Sequence, residues 1–334
     1  MKSLFKLIFL LTFMIQACQP KVGEEVMRIN RGKAQGTTYN IQYITIQGTD
    51  YQREIDSIFA FVDQEMSTYV PSSTISRLNA GEVTPIETHF YNVLKLSDKI
   101  YQMTDGLFDI TVYPLVQLWK IEDPNFTGAI DSSKVDSVLN FIGFSKIAYD
   151  STSVKLPAGM KLDLNAIAQG YTVDVIAEFL ESKGIQNYMV EVGGEVRCKG
   201  KNINNKIWLI GIEKPVDDPN NQKFQTVIKL KDKSLATSGS YRKYRTLPNG
   251  SRLSHTINPK TGYPTNHNLL SVSVMADDCA TADGLATALL VMGLQEAKQF
   301  ASKHPEFEYL FIYFDRYKGY ETWRSEGFSK YVER

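Results

Sequence analysis

The chain has 334 residues, 43% hydrophobic and 22% charged, which suits a globular protein with one large core or two domains and argues against disorder. Lysine plus arginine and aspartate plus glutamate number 37 each, and no basic run is interleaved with aromatics, so the composition speaks against a nucleic-acid partner. Four histidines, His89, His255, His267 and His304, are scattered, and no CxxC pair stands beside them, so zinc has no ligand set and a bound metal would be a hard ion held by oxygen.

Lys2 and Lys6 precede the apolar stretch Leu7 to Ile15, which is too short to span a bilayer and has the charge order of a secretory signal. It ends Ile15-Gln16-Ala17-Cys18, which resembles a bacterial lipobox, with Cys18 as the lipidated new N-terminus; a plain signal peptide with a chance cysteine is the alternative. The expected organisation is a signal peptide over 1–17, a lipidated cysteine and tether over 18–30, and one domain over 31–334. Such a chain would sit in the bacterial cell envelope, held to a membrane by lipid, with its domain outside the cytoplasm.

Thr38 to Ile46 predicts a strand, and Ile55, Phe59 and Val62 give Gln52 to Met66 a helical period. A second helix is expected over Phe90 to Met103, stopping at Thr104-Asp105-Gly106. Lys120 to Asp136 reads as a polar, irregular excursion over the surface. A strand-turn-helix-strand unit follows: Lys161 to Leu164, a small polar turn, Thr172 to Lys183 closed by Gly184, and Tyr188 to Val192. The C-terminal part repeats it, with a strand over Ser271 to Ala276, a corner at Asp277-Asp278, and a helix marked by Ala282, Leu285, Ala286 and Leu289 that ends at Gly293. The class is α+β, a single mixed α/β domain of interleaved sheets and helices.

Asp283 and Thr287 are four residues apart near the start of that last helix, so both project from one face. A carboxylate and a hydroxyl there suit magnesium, which completes its shell with phosphate and water. The plainer reading is an exposed acid complementing the helix dipole and a threonine bonding its own backbone. Asn165 to Gly170 offers N–H groups at a helix start as an anion seat, while bare alanine backbone leaves a carbonyl for a cation, and Asp163 and Gln169 are placed to read polar edges of a ligand. An N-cap with packing alanines is the alternative there. His255 precedes a turn fixed by Asn258, Pro259 and Gly262, which suits either a general base or a structural histidine. There is no G-x-G-x-x-G, no Walker loop and no G-x-S-x-G elbow.

Eight stretches in order carry a resemblance: AQGTTYNIQY (34–43), STYVPSSTISRLN (67–79), TDGLFDITVYPLVQLW (104–119), KLDLNAIAQGYTVD (161–174), VEVGGEVRCKG (190–200), SLATSGSYRKY (234–244), SHTINPKTGYP (254–264) and CATADGLATALLVMG (279–293). Together they resemble the FAD:protein FMN transferase (ApbE) family. The resemblance implies a T-fold-like domain that binds FAD with Mg2+ and transfers FMN to a threonine, occasionally a serine, of a target protein, releasing AMP. It implies magnesium ligands at Ala166, through its carbonyl, Asp283 and Thr287. Flavin or adenylate contacts would come from Gln35, Tyr69, Leu107, Phe108, Asp109, Asp163, Gln169 and Ile257, and proton removal from the acceptor would fall to His255. The implied partner is the flavin-carrying subunit of a membrane redox complex.

The sequence departs from the family at Gln35, commonly methionine, at Asn258, commonly aspartate, and at Ala286, an acid in some members; the first bears on flavin packing and the last on the number of magnesium ions. Two rival functions share the site: a magnesium-dependent FAD pyrophosphatase giving FMN and AMP, and a non-catalytic flavin-binding lipoprotein.

Overall fold

The computed structural model describes residues 23–46, 48–121, 123, 126, 130–215, 224–240, 244–246 and 252–333; the expected signal peptide, Cys18 and the first part of the expected tether lie outside them. In chain order the elements are β1 (Glu25–Ala34), β2 (Thr37–Ile46), α1 (Gln52–Met66), α2 (Thr74–Asn79), α3 (Thr88–Met103), α4 (Tyr113–Trp119), α5 (Ser132–Leu139), β3 (Ala148–Tyr149), β4 (Val154–Lys155), α6 (Ala168–Ser182), β5 (Tyr188–Val192), β6 (Glu195–Lys199), β7 (Trp208–Glu213), β8 (Phe224–Leu230), β9 (Lys233–Gly239), β10 (Tyr244–Thr246), β11 (Arg252–Ser254), β12 (Leu269–Ala276), α7 (Cys279–Met292), α8 (Leu294–Lys303), β13 (Glu308–Asp315) and β14 (Gly319–Arg324). Among the described residues no helix is long and apolar enough to cross a membrane.

Eight strands form one sheet in the order β1-β2-β5-β6-β9-β12-β13-β14. Every neighbouring pair is antiparallel. The α+β class read from the sequence is therefore the observed one. The first hairpin closes through Gln35 (φ 51) and Gly36 (φ 72), two left-handed residues whose twist matches that of the strands they join. Strand alternation divides the core. Tyr188, Val190 and Val192 face α1 and α6, where they meet Ile55, Phe59, Val173 and Ile176. Met189, Val196 and Cys198 face the other way and pack on Trp208, Ile210 and Ile212 of the β7–β8 ribbon.

The helix α7 is buried nearly all round, as its unbroken run of small and apolar residues requires. Asp278 caps it, its side chain accepting the Thr281 N–H at 2.7 Å. Asp174 of α6 reaches across to accept the Cys279 and Ala280 N–H groups at 2.9 and 2.8 Å, and Arg197 of β6 balances that carboxylate at 2.7 Å. Both Cys198 and Cys279 are buried free thiols.

Several expectations need correction. Glu25 to Asn30 is not tether: it pairs with Ile41 to Ile46 in full β1–β2 register. Lys161 to Leu164 is extended but joins no sheet, because a side chain takes the place of a partner strand: Asn79 donates to the Leu162 carbonyl and accepts its N–H, at 2.8 and 2.7 Å. The segment from Lys120 is not wholly irregular, since α5 occupies its end and Ile121, Phe126 and Ile130 pack on the cluster around Trp119. The helix expected from Thr172 starts four residues earlier, at Ala168, because Leu164 already accepts the Ala168 N–H at 2.8 Å.

The helices α6 and α7 touch at Gly170. A Cβ there would lie 2.6 Å from the Cys279 carbonyl oxygen, 2.8 Å from Asp283 Cβ and 2.9 Å from Ala280 Cα. Two of these are backbone atoms that cannot swing aside. Gly170→Ala is expected to destabilise the fold by about 1–3 kcal/mol, as overpacking does. Urea unfolding would read it, and an unchanged midpoint would show that the two helices separate without cost.

Candidate active site

One cleft of about 1450 Å³ opens between the helical layer and the β5–β6–β9 part of the sheet, and all twelve residues read from the sequence as ligand, metal or proton-transfer positions line it. The volume exceeds the roughly 300–1,000 Å³ of a site for a drug-sized ligand and suits a dinucleotide.

At its floor α7 presents Asp283 and, one turn on, Thr287. Asp283 is not the exposed acid that its place near a helix start suggested: it is 6% exposed, because α7 lies in the core. Its Oδ2 accepts the Gly170 N–H at 3.0 Å. That N–H would otherwise close a helical turn onto the Ala166 carbonyl, so the bond leaves this carbonyl out of the α6 ladder, beside the cleft. Thr287 Oγ1 lies 3.0 Å from Ser238 Oγ of β9. Burial pushes the Asp283 carboxyl up from 3.8 to about 7; the Gly170 N–H opposes this, and the Asp174 charge adds to it.

The anion seat expected at the start of α6 is largely spent. Asn165 donates its N–H to Asp163, Ile167 and Ala168 donate theirs to Leu164, and Gly170 donates to Asp283. At α7 the Cys279, Ala280 and Thr281 N–H groups go to carboxylates as well. Neither helix start is a free cradle for phosphate.

The remaining residues divide by what already engages them. Gln35 donates its amide to Thr172 Oγ1 at 2.9 Å, while its Oε1 is buried without a donor. Gln169 rests its amide on the Gln35 carbonyl at 3.4 Å. Tyr69 is 79% exposed at the rim, whereas Phe108 and Ile257 form apolar wall. Leu107 lines the same wall, one residue after the turn of Gly106. Asp109 spends both oxygens inside the fold, Oδ1 on the Thr111 N–H and hydroxyl at 2.8 and 2.7 Å and Oδ2 on the Phe144 N–H at 3.2 Å, so its carboxylate shapes the loop. Asp163 sits deep but faces the cleft; burial raises its carboxyl, and the Asn165 N–H opposes the rise. His255 lines the cleft on a loop anchored at two points: Trp119 donates to the Gly262 carbonyl at 2.7 Å, and Lys260 pairs with Asp105.

Glu195 and Ser238 lie in the stretches 190–200 and 234–244 that carry the resemblance, but neither had a role assigned from the sequence. Glu195 is 6% exposed, lines the cleft, and is held well above the usual carboxylate range by burial and by the nearby Asp283 charge. In the sequence it is a lone acid after Gly193-Gly194, and no local pattern marks it. Among its described lining residues the cleft carries eight carboxylates, Asp63, Asp109, Asp123, Asp163, Glu191, Glu195, Glu213 and Asp283, against Lys120 and His255. Such a site repels a free pyrophosphate unless a cation comes with it.

Fold and cleft together define an α+β protein with a dinucleotide-sized, oxygen-lined site. The ApbE family matches residues 35–311, and the chain belongs to that family. It is 38% identical over 334 residues to an FAD:protein FMN transferase of Haemophilus influenzae, covering 96% of this chain and 94% of the relative. An FAD:protein FMN transferase of Vibrio cholerae is 36% identical over 313 residues, covering 91% and 92%. The solved flavin transferase ApbE from Vibrio cholerae superposes with a TM-score of 0.82 at 35% identity, over 92% of this chain and all of that one. The apo flavinyl transferase ApbE from Pseudomonas stutzeri gives 0.81 at 28% identity, over 92% of this chain and 97% of that one.

The raised Asp283 carboxyl makes a stability prediction. Between 3.8 and about 7 the folded protein keeps a proton that the unfolded chain releases. That contribution to stability is complete below the lower value and lost as pH rises through the upper one. Metal-free protein should therefore lose stability relative to Asp283→Asn as pH goes from about 4 to 7. Urea unfolding of both across this range checks it, and parallel curves would contradict the buried, proton-holding acid.

Proposed function

We propose that the protein is a magnesium-dependent FAD:protein FMN transferase, moving the FMN half of FAD to a threonine, or serine, hydroxyl of a target flavoprotein and releasing AMP. The observation that carries this reading is the floor of the cleft: a buried carboxylate, a hydroxyl one turn on and a backbone carbonyl released from its helix, in a site with a strong excess of acids. This donor set is all oxygen and fits a hard cation. Asp283, Thr287 and the Ala166 carbonyl would hold magnesium, which when bound neutralises pyrophosphate charge. The names of the relatives support the flavin chemistry.

The protein's residues account for the rest. The walls from Leu107, Phe108 and Ile257 offer apolar surface to a flavin ring, and Asp163 and Gln169 offer acceptors and an amide to its polar edges. Cys198 and Cys279 are buried, Ser238 and Thr287 share a hydrogen bond, and the attacking hydroxyl in this reading comes from the partner. Its oxygen bonds to the FMN phosphorus as the bond to the AMP oxygen breaks, and His255 takes its proton. The N-terminal sequence supports lipidation at Cys18 and an envelope location, which fits a target in the flavin subunit of a membrane redox complex.

Mass spectrometry of such a subunit incubated with the mature protein, FAD and magnesium should show one added FMN on a threonine, with AMP in equal amount. Free FMN and AMP with an unmodified target would favour the pyrophosphatase, and neither product would leave a flavin-binding protein. Asp283→Asn should reduce transfer to background while the far-UV spectrum is kept. His255→Ala should slow transfer about a hundredfold or more, a larger change than in FAD affinity, as loss of a general base does. Cys18→Ser should move the protein from the membrane to the soluble envelope fraction, since lipid would be its anchor; unchanged membrane association would refute the lipobox.

A further inference from the structure

Glu195 does not behave as a structural acid. It opens β6 directly after the Gly193-Gly194 turn, and only 6% of it is exposed. Its Oε2 is buried without a hydrogen-bond donor. It does not cap the turn beneath it, because the Gly193 N–H goes to the Thr38 carbonyl at 3.0 Å and the Gly194 N–H to Glu191 Oε1 at 2.9 Å. The guanidinium two residues on is committed elsewhere, to Asp174 at 2.7 Å and Glu181 at 3.6 Å.

What surrounds Glu195 is more acceptor. A point one bond from the Gly193 Cα lies 3.1 Å from Glu195 Oε2 and 3.2 Å from Gln169 Oε1, so both oxygens converge there. The Asp283 and Glu191 carboxylates are close enough to raise the proton affinity of Glu195. A buried carboxylate facing other acceptors is costly unless a positive charge meets it.

We propose that Glu195 is a further anionic ligand of the divalent cation seated on Asp283 and Thr287, bound directly or through one coordinated water. The inference rests on the reading that this cleft takes magnesium. It assigns the second negative charge of the seat to β6, so that sheet and helix both contribute. This explains why an acid whose Oε2 has no donor sits where Gln169, Asp283 and the glycine turn meet.

The test is titration calorimetry of the metal-free mature protein with magnesium chloride alone, with manganese binding by electron paramagnetic resonance as a second probe. Glu195→Gln keeps the shape and removes the charge. It should weaken magnesium binding tenfold or more, while its melting temperature without metal stays level or rises, the opposite of what loss of a structural contact gives. Glu195→Asp, which keeps the charge at shorter reach, should bind between the two. Wild-type magnesium affinity in Glu195→Gln would overturn the assignment. If Glu195→Gln does not fold, Glu195→Asp carries the test, and its binding magnesium as wild type does would overturn the assignment too. Asp283→Asn separates the two levels. If it loses binding while the Glu195 variants keep it, only the role of Glu195 falls; if the wild type binds no magnesium, the metal reading falls with it.

Discussion

The site depends on one close approach, that of α6 to α7 at Gly170. Because the glycine has no side chain, the backbone of one helix reaches the other and its N–H meets the Asp283 carboxylate. One hydrogen bond thus fixes the acid, releases the Ala166 carbonyl and sets the spacing of the two helices. Asp174, one turn further along α6, holds the first turn of α7 from the same side, and Arg197 ties that acid to the sheet. The two helices and the sheet are therefore registered through carboxylates, and Asp283 is positioned by the same contacts that build the core.

Much of this was legible in the sequence where period and spacing are strong. The i, i+4, i+7 pattern of Ile55, Phe59 and Val62 gave α1, and the alternation from Ser271 gave most of β12. Asp283 and Thr287 were found because one helical turn separates them. What was missed has physical causes. Lys161 to Leu164 alternates like a strand but finds its partner in the Asn79 side chain, which no local pattern announces. Asp283 looked exposed because an acid near a helix start usually is, whereas its burial follows from packing contributed by distant β9 and β12. The amides at the start of α6 looked available because one of the groups that take them, Asp283, comes from another helix, and another is the Leu164 carbonyl of the preceding turn. Glu195 is a single acid in an ordinary strand, and the burial of its Oε2 without a donor is a property of three dimensions alone.

The electrostatics divide labour between the protein and what it binds. Outside the cleft the buried Asp174 is paired with Arg197 at 2.7 Å, and the half-buried Glu181 with Lys199 at 2.8 Å. In the cleft it leaves a surplus of carboxylates against few cations. An unpaired buried acid is a standing cost to the folded state, of the kind that functional sites carry and the surrounding core offsets.

The acidic lining also sets a thermodynamic relation between ligands. If the cleft takes a cation and FAD as proposed, its acidic lining would couple the two occupants, since the cation would screen the floor against the pyrophosphate. Whatever factor the cation adds to the nucleotide's affinity, the nucleotide returns to the cation. On the proposed reading, the local supply of divalent ion would then set how much nucleotide the cleft holds, through binding alone.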